Sequence, residues 1–326
     1  MDALVTGGAG FIGSHLTDAL VELGGRVRVL DDLSAGLEAN LNPRAEFVHG
    51  SITDPATVAA AVEGCEVVFH LAAHGAVARS LANPLGSNEA NVTGTLTVLT
   101  AARDAGVRRL VFASSSSIYG GADVVPTPES QPLRPRSPYA VSKMSGEWYV
   151  RVFAELFPIE TVALRYFNVF GPRQRPDSTY AAVIPLFTSA LLRGDVPTVH
   201  GTGEQSRDFT YVADVVAANI AAAQAPADRC SGNPYNVAAA QAPADRCSGN
   251  PYNVAPGSTT SLLELLAILG ELIGVDPAPQ FVAARAGDIV RSQADASAAT
   301  RDLGWTPRHS MRDGLASTVE WMRSRI

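Results

Sequence analysis

One segment restricts the possible folds of this chain more than any other. Thr6-Gly7-Gly8-Ala9-Gly10-Phe11-Ile12-Gly13 places glycines at G-x-x-G-x-x-G spacing, after a short apolar run at 3–6 and before a helical period at 11–23. A glycine-rich turn between a first strand and a first helix is the phosphate cradle of a doubly wound α/β fold. Gly7 makes the tight turn, Gly10 lets a pyrophosphate approach the backbone, and Gly13 permits close helix–strand packing. The free N–H groups of the helix start attract phosphate. Asp31 comes 18 residues after Gly13, at the end of an alternating run at 26–30. A carboxylate there accepts from ribose hydroxyls and repels a 2′-phosphate, and no Arg lies within 32–37 to offset it. This predicts NAD rather than NADP, with Asp32 as the neighbouring candidate.

The first half keeps alternating. Runs at 46–48, 66–71, 109–113 and 160–166 read as strands, and 55–62, 91–105 and 138–157 as helices. Ser137 is the expected N-cap of the last helix, with Pro138 at its first position. Such alternation implies a parallel sheet covered on both faces. After Asn168 the pattern loosens: Gly171-Pro172, Pro176 and Pro185 break the chain, and 201–206 is a polar loop. Helical periods return at 188–193, 212–223, 262–273 and 311–322. The expected architecture is α/β: a Rossmann-type doubly wound parallel sheet over 1–168 that binds NAD. A smaller C-terminal α/β substrate domain over 169–326 lies on its carboxyl edge, with part of 208–256 returning to the sheet.

Composition removes other classes. A net charge of −7 argues against bulk attraction to nucleic acid or anionic lipid. No apolar run reaches the roughly 18 residues of a membrane helix; the most apolar stretch, 261–275, carries Glu264 and Glu271. Three cysteines form no disulfide framework, which predicts a reducing, cytoplasmic setting. Two oddities remain. The 25 basic residues include a single lysine, Lys143. Residues 222–238 recur unchanged as 239–255, and two copies of 17 residues make no repeat array, so one copy reads as redundant.

The lone lysine ends Tyr139-Ala140-Val141-Ser142-Lys143, a Y-x-x-x-K that puts both side chains on one helical face. A phenol titrates near pH ~10 and is a poor base at neutrality. A nearby ammonium, together with a nicotinamide cation, favours phenolate. Four serines at 114–117 lie upstream, after a strand, and a hydroxyl beside the phenol shares the substrate proton.

Together the glycine-rich opening, Asp31, His70-Leu71-Ala72-Ala73, Asn91, Ser115, Tyr139, Lys143 and Arg165-Tyr166-Phe167-Asn168 resemble an extended short-chain dehydrogenase/reductase. The resemblance spans essentially the whole chain outside the repeat. Within that family the chain most resembles the nucleoside-diphosphate-sugar 4-epimerases of the UDP-galactose and UDP-N-acetylglucosamine type. The resemblance implies that Ser115, Tyr139 and Lys143 are catalytic, Tyr139 as base and Lys143 on the nicotinamide ribose. It places Gly7, Gly10, Phe11, Ile12, Gly13, Asp31 and Asp32 at NAD. Ser51, Ile52, Leu71, Ala72, Ala73, Asn91 and Tyr166 join them there, with Tyr139 and Lys143. Gly75, Ser115, Ser116, Asn168, Ala182 and Val183 fall where that family grips the nucleotide sugar, as do Val199, Arg207, Arg285, Asp288 and Ser292. Arg207 and Arg285 suit diphosphate oxygens, Asn168 can donate to one, and Asp288 can accept from a ribose hydroxyl. A homodimer paired through the helices at 91–105 and 137–157 is also implied.

Departures narrow the reaction. The related sugar 4,6-dehydratases carry an Asp-Glu pair where this chain has Ser116 and Ser117, and the decarboxylases a Glu where it has Ser117. The expected reaction is therefore NAD-dependent epimerisation at C4 of a UDP-hexose through a transient 4-keto sugar. A UDP-glucuronate 4-epimerase, or another nucleotide-sugar dehydratase, decarboxylase or oxidoreductase, is the alternative; a non-catalytic NAD-responsive regulator of this fold is least favoured, since it has no need of Ser115, Tyr139 and Lys143. Ser292 falls where glucose/galactose-restricted members have a large aromatic, so the pocket is expected to admit an N-acetyl group at C2.

Overall fold

A computed structural model describes residues 1–121, 123–176, 182–227, 249–284 and 290–325. Among these, seven strands form one sheet: β1 (Ala3–Thr6), β2 (Val27–Asp31), β3 (Glu46–His49), β4 (Val67–His70), β5 (Arg109–Ser115), β6 (Glu160–Tyr166) and β7 (Pro251–Val254). Their order is β3-β2-β1-β4-β5-β6-β7 and every pairing is parallel. All four residues of β1 and of β4 are buried, as expected of strands covered on both faces. The connections change direction between β1 and β4, so their carboxyl ends diverge around a crevice.

The helices are α1 (Phe11–Glu22), α2 (Pro55–Val62), α3 (Val77–Ala82), α4 (Pro84–Asn88), α5 (Gly94–Asp104) and α6 (Pro138–Leu156). Further along come α7 (Val183–Arg193), α8 (Val212–Gln224), α9 (Leu262–Ile273), α10 (Ser297–Leu303) and α11 (Met311–Arg323). Alternation along β1 divides the core. Ala3 and Val5 pack with Leu16 and Leu20 of α1 and Ala218 of α8, whereas Leu4 packs with Val58 of α2, Leu99 of α5 and Phe153 of α6. A third apolar cluster joins Phe187 of α7, Leu266 of α9 and Leu315 of α11.

Local chemistry sets the helix starts. Ser137 Oγ accepts from Ala140 N (3.1 Å), and Pro138 opens α6 as expected. Pro185 is a correction: it does not break the chain. The helix begins at Val183, so Pro185 sits in its first turn, where a missing N–H costs no hydrogen bond. The short α3 and α4 were not legible as periodic segments. Both copies of the repeat enter the fold. Residues 222–224 close α8, and β7 is built from the second copy, with Tyr252 paired to Leu164 of β6. No helix among the described residues is long and apolar enough to cross a membrane.

Candidate functional site

The glycine-rich turn is sterically committed. Gly7 has φ +74°, and a Cβ on it would lie 2.7 Å from Ala72 N. A Cβ on Gly13 would collide with the Gly7 carbonyl oxygen. At Gly10, the N-cap of α1, a Cβ would meet only Gly7 O, at 3.1 Å, and no side chain caps the helix. The first N–H groups of α1, at Phe11 and Ile12, therefore open onto a cavity of about 460 Å³ at the carboxyl ends of β1 and β4. Asp31 closes one end of it. Its Oδ2 accepts from Ala9 N (3.0 Å) and its Oδ1 from Leu33 N (2.9 Å). Burial pushes the Asp31 carboxyl up, and those two N–H groups pull it down. Asp32 also borders the cavity, but its Oδ1 is taken by Ser34 N and Ser34 Oγ. Ser51, Ile52, Leu71, Ala72, Ala73 and Gly75 complete the wall. Arg173 Nη1 and Gln174 Oε1 are buried there without hydrogen-bond partners. Free helix N–H groups, an unpaired guanidinium nitrogen and a carboxylate at the far end fit a dinucleotide.

Asn91 is not on that wall. It is buried, with Oδ1 accepting from His74 N (2.7 Å) and Nδ2 donating to His74 O (3.2 Å) and Ser142 Oγ (2.9 Å). It fixes the loop that carries Ala72 and Ala73.

Tyr139 and Lys143 enter the same cavity from α6. Lys143 Nζ donates to Ala113 O (2.8 Å) and lies 5.0 Å from the centre of the Phe112 ring. Burial lowers its ammonium to about 8. Burial raises the Tyr139 phenol, and the neighbouring Ser115 hydroxyl offsets this only in part. The protein's own groups thus leave the phenol above its ordinary value, because burial outweighs them. Ser115 caps the turn Ser116–Tyr119, its Oγ accepting from Ser117 N (3.2 Å).

A second cavity, about 370 Å³, shares Ile12, Ser114, Tyr139 and Tyr166 with the first. Ser115, Ser116, Asn168, Arg207 and Ser292 border it, and so does Ser117, whose Oγ is buried without a partner. Asn168 has φ +33° and donates through Nδ2 to Asp208 O (3.0 Å). A third cavity, about 760 Å³, includes Ala182 and Val183 and meets the second at Asn168 and Arg207. The Val199 side chain faces neither, because it is wholly buried in the apolar cluster of α7 and α9. Arg285 and Asp288 lie outside the described residues. Sequence reasoning passed over Arg291, which borders the second cavity and donates to Gln293 Oε1 (3.0 Å); nothing in its spacing marks it. It also passed over Glu147, although the i+4 step from Lys143 was a usable signal.

The chain matches the NAD dependent epimerase/dehydratase family over residues 3–238. It is 38% identical over 332 residues to the UDP-glucose 4-epimerase of Mycolicibacterium smegmatis, covering 100% of this chain and 99% of that one. Among solved structures, the UDP-glucose 4-epimerase of Thermotoga maritima with UDP-glucose superposes with a TM-score of 0.90 at 37% identity, over 100% and 99% of the two chains. The UDP-N-acetylglucosamine 4-epimerase of Methanobrevibacter ruminantium, in complex with UDP-N-acetylmuramic acid, gives 0.89 at 37% identity, again over 100% and 99%.

Proposed function

Because the chain belongs to the NAD-dependent epimerase/dehydratase family, we propose that it inverts C4 of a UDP-hexose, acting on UDP-glucose/UDP-galactose and on their N-acetylated counterparts. The observation that carries this reading is the meeting of Ser115, Tyr139 and Lys143 where the first two cavities join. Residues 1–168 hold NAD and 169–326 the nucleotide sugar, with the diphosphate near Arg207.

The chemistry that NAD supplies when bound is reversible hydride acceptance from C4, passing through a 4-keto sugar, and a positive charge near the phenol. Tyr139 Oη takes the proton of the C4 hydroxyl and later returns it. Ser115 Oγ, on the same cavity wall as the phenol, shares that proton. Lys143 keeps its ammonium aligned through Ala113 O and borders the first cavity, where it would hold the nicotinamide ribose. No carboxylate stands at 116 or 117 to expel water, so the cycle closes without elimination.

One observation favours a second substrate. Arg291 borders the sugar cavity, and a guanidinium there suits the carboxylate of a uronic acid. We also read the protein as cytoplasmic and as a homodimer.

The test is incubation with UDP-glucose, UDP-N-acetylglucosamine and UDP-glucuronate without added cofactor, with products read by NMR. A C4 epimer should appear, and denatured protein should release NAD. Release of NADP, or a dehydrated or decarboxylated product, overturns the reading.

A further inference from the structure

The ends of β5 and α6 are joined residue by residue. Ala113 O accepts from Lys143 Nζ (2.8 Å), Ser114 Oγ donates to Glu147 Oε2 (2.7 Å), and the next strand residue, Ser115, borders the same cavity as Tyr139. Strand residues 113 and 114 thus bond to helix positions 143 and 147, and 115 shares a cavity with 139; the three helix positions lie on one face at four-residue steps. Lys143, Tyr139, Ser114 and Ser115 border the ligand cavities, whereas Glu147 borders neither and is anchored behind them. Glu147 also accepts from Arg165 Nε (3.1 and 3.2 Å) and Arg165 Nη2 on β6. Arg165 Nη1 continues to Tyr119 OH (2.8 Å) and Glu129 O (3.0 Å).

Glu147 is 7% exposed and Arg165 3%. A buried ion pair of this kind is often no more stabilising than apolar residues of the same volume, so stability alone is a poor reason for it. What it adds is direction. An apolar side chain at 147 would leave α6 free to rotate slightly about its axis; a carboxylate held by β5 and β6 fixes that rotation. The approach is also close: at Gly146, a Cβ would lie 2.6 Å from Phe112 Cζ. A small turn of α6 therefore moves Tyr139 relative to Ser115.

We propose that Glu147, acting through Ser114 and Arg165, is a positioning residue that sets the contact between Ser115 and Tyr139. The proposal rests on the reading of Tyr139 as the base. Ser114→Ala removes one hydroxyl and leaves Glu147 paired with Arg165, so the variant folds. It should lower kcat roughly tenfold, since slight misplacement of reacting groups is costly in rate, while KM for the nucleotide sugar stays within about twofold. Ser114→Thr, which keeps the hydroxyl, should restore kcat. Glu147→Gln should lower kcat at least as far, and adding Ser114→Ala to it should cost little more.

Ultraviolet titration, taken as the difference from Tyr139→Phe, reads the phenol directly. Its midpoint should move to higher pH in Ser114→Ala, as the Ser115 contact weakens. Unchanged kcat and titration in Ser114→Ala, or a loss of thermal stability alone, overturns the proposal. If Tyr139→Phe is itself fully active, the base assignment falls, and the phenol titration still tests the clamp.

Discussion

Tyr139 loses only a hydroxyl when changed to Phe, and its ring stays packed where α6 meets the two cavities. Tyr139→Phe should therefore fold and bind nucleotide sugar, yet turn over at least ~10²-fold more slowly, the usual cost of losing an acid–base group. Steady-state rates beside calorimetric binding check both halves, and near-normal turnover removes the mechanism. Much at this scale was legible in sequence because geometry dictates residue type. Gly7 must tolerate a positive φ, and Gly13 has no space for a Cβ against Gly7. Asp31 and Asp32 could not be separated, since adjacent residues differ only in which backbone groups they meet. Burial of the phenol, which by itself opposes phenolate, is invisible in a linear string. Ser292 gives a further test. It borders the sugar cavity with its N–H donating to Ser206 O (3.1 Å), which leaves a small side chain on the wall. Ser292→Tyr should lower the ratio of kcat/KM for UDP-N-acetylglucosamine over UDP-glucose by about tenfold or more, because added bulk excludes the larger sugar. An unchanged ratio places the gate elsewhere.

At the scale of elements, β1, β4 and α5 are tied by one directed chain of hydrogen bonds through His70. Thr95 Oγ1 donates to Asn91 O (2.6 Å), so it must accept from His70 Nε2 (2.9 Å). His70 Nδ1 is then the acceptor from Thr6 Oγ1 (2.8 Å), which in turn accepts from Ala72 N (3.2 Å). Every member has a partner only if the ring is neutral. Burial, with Lys143 nearby, lowers His70 to about 3. The unfolded chain takes up this proton near pH ~6.5. The contribution is therefore complete above that pH and is lost as pH falls toward 3, at roughly 1.4 kcal/mol per pH unit. His70→Asn does not titrate. The stability gap between wild type and His70→Asn should narrow on acidification from pH ~6.5, as read by denaturant unfolding. A gap that stays constant shows the ring already charged in the native state. The sequence marked β1, β4 and α5 through their apolar periods, but not this chain, because its members are 25 and 64 residues apart. Pro185 shows the opposite failure: a breaker by type became a helix-start residue by position.

For the whole molecule, two expectations concern surfaces and connections. The outward face of α6 exposes Val141, Trp148, Val152 and Leu156, spaced seven, four and four residues apart on one stripe. That stripe is the surface proposed to pair two copies, and Trp148→Glu should convert a dimeric mass in light scattering to a monomeric one with catalysis largely retained. A wild-type monomer at micromolar concentration rules the pairing out. The repeat makes a sharper case. Among the described residues, the end of α8 comes from the first copy and β7 from the second. Between Gln224 and Pro251 lie 26 residues, and removing 17 leaves 9. A connection of this length still joins a helix to the next strand of a parallel sheet with ease. Loop closure costs about 1.5RT times the logarithm of length, so the shorter connection should be cheaper to close by about 1 kcal/mol. Deletion of 239–255 keeps Pro251-Tyr252-Asn253-Val254 in the form of their identical first-copy counterparts, so every side chain that pairs with β6 remains. The deletion variant should fold, retain its turnover with nucleotide sugar, and unfold at equal or slightly higher denaturant concentration. Loss of folding or of turnover would show that the second copy carries structure of its own and is not redundant.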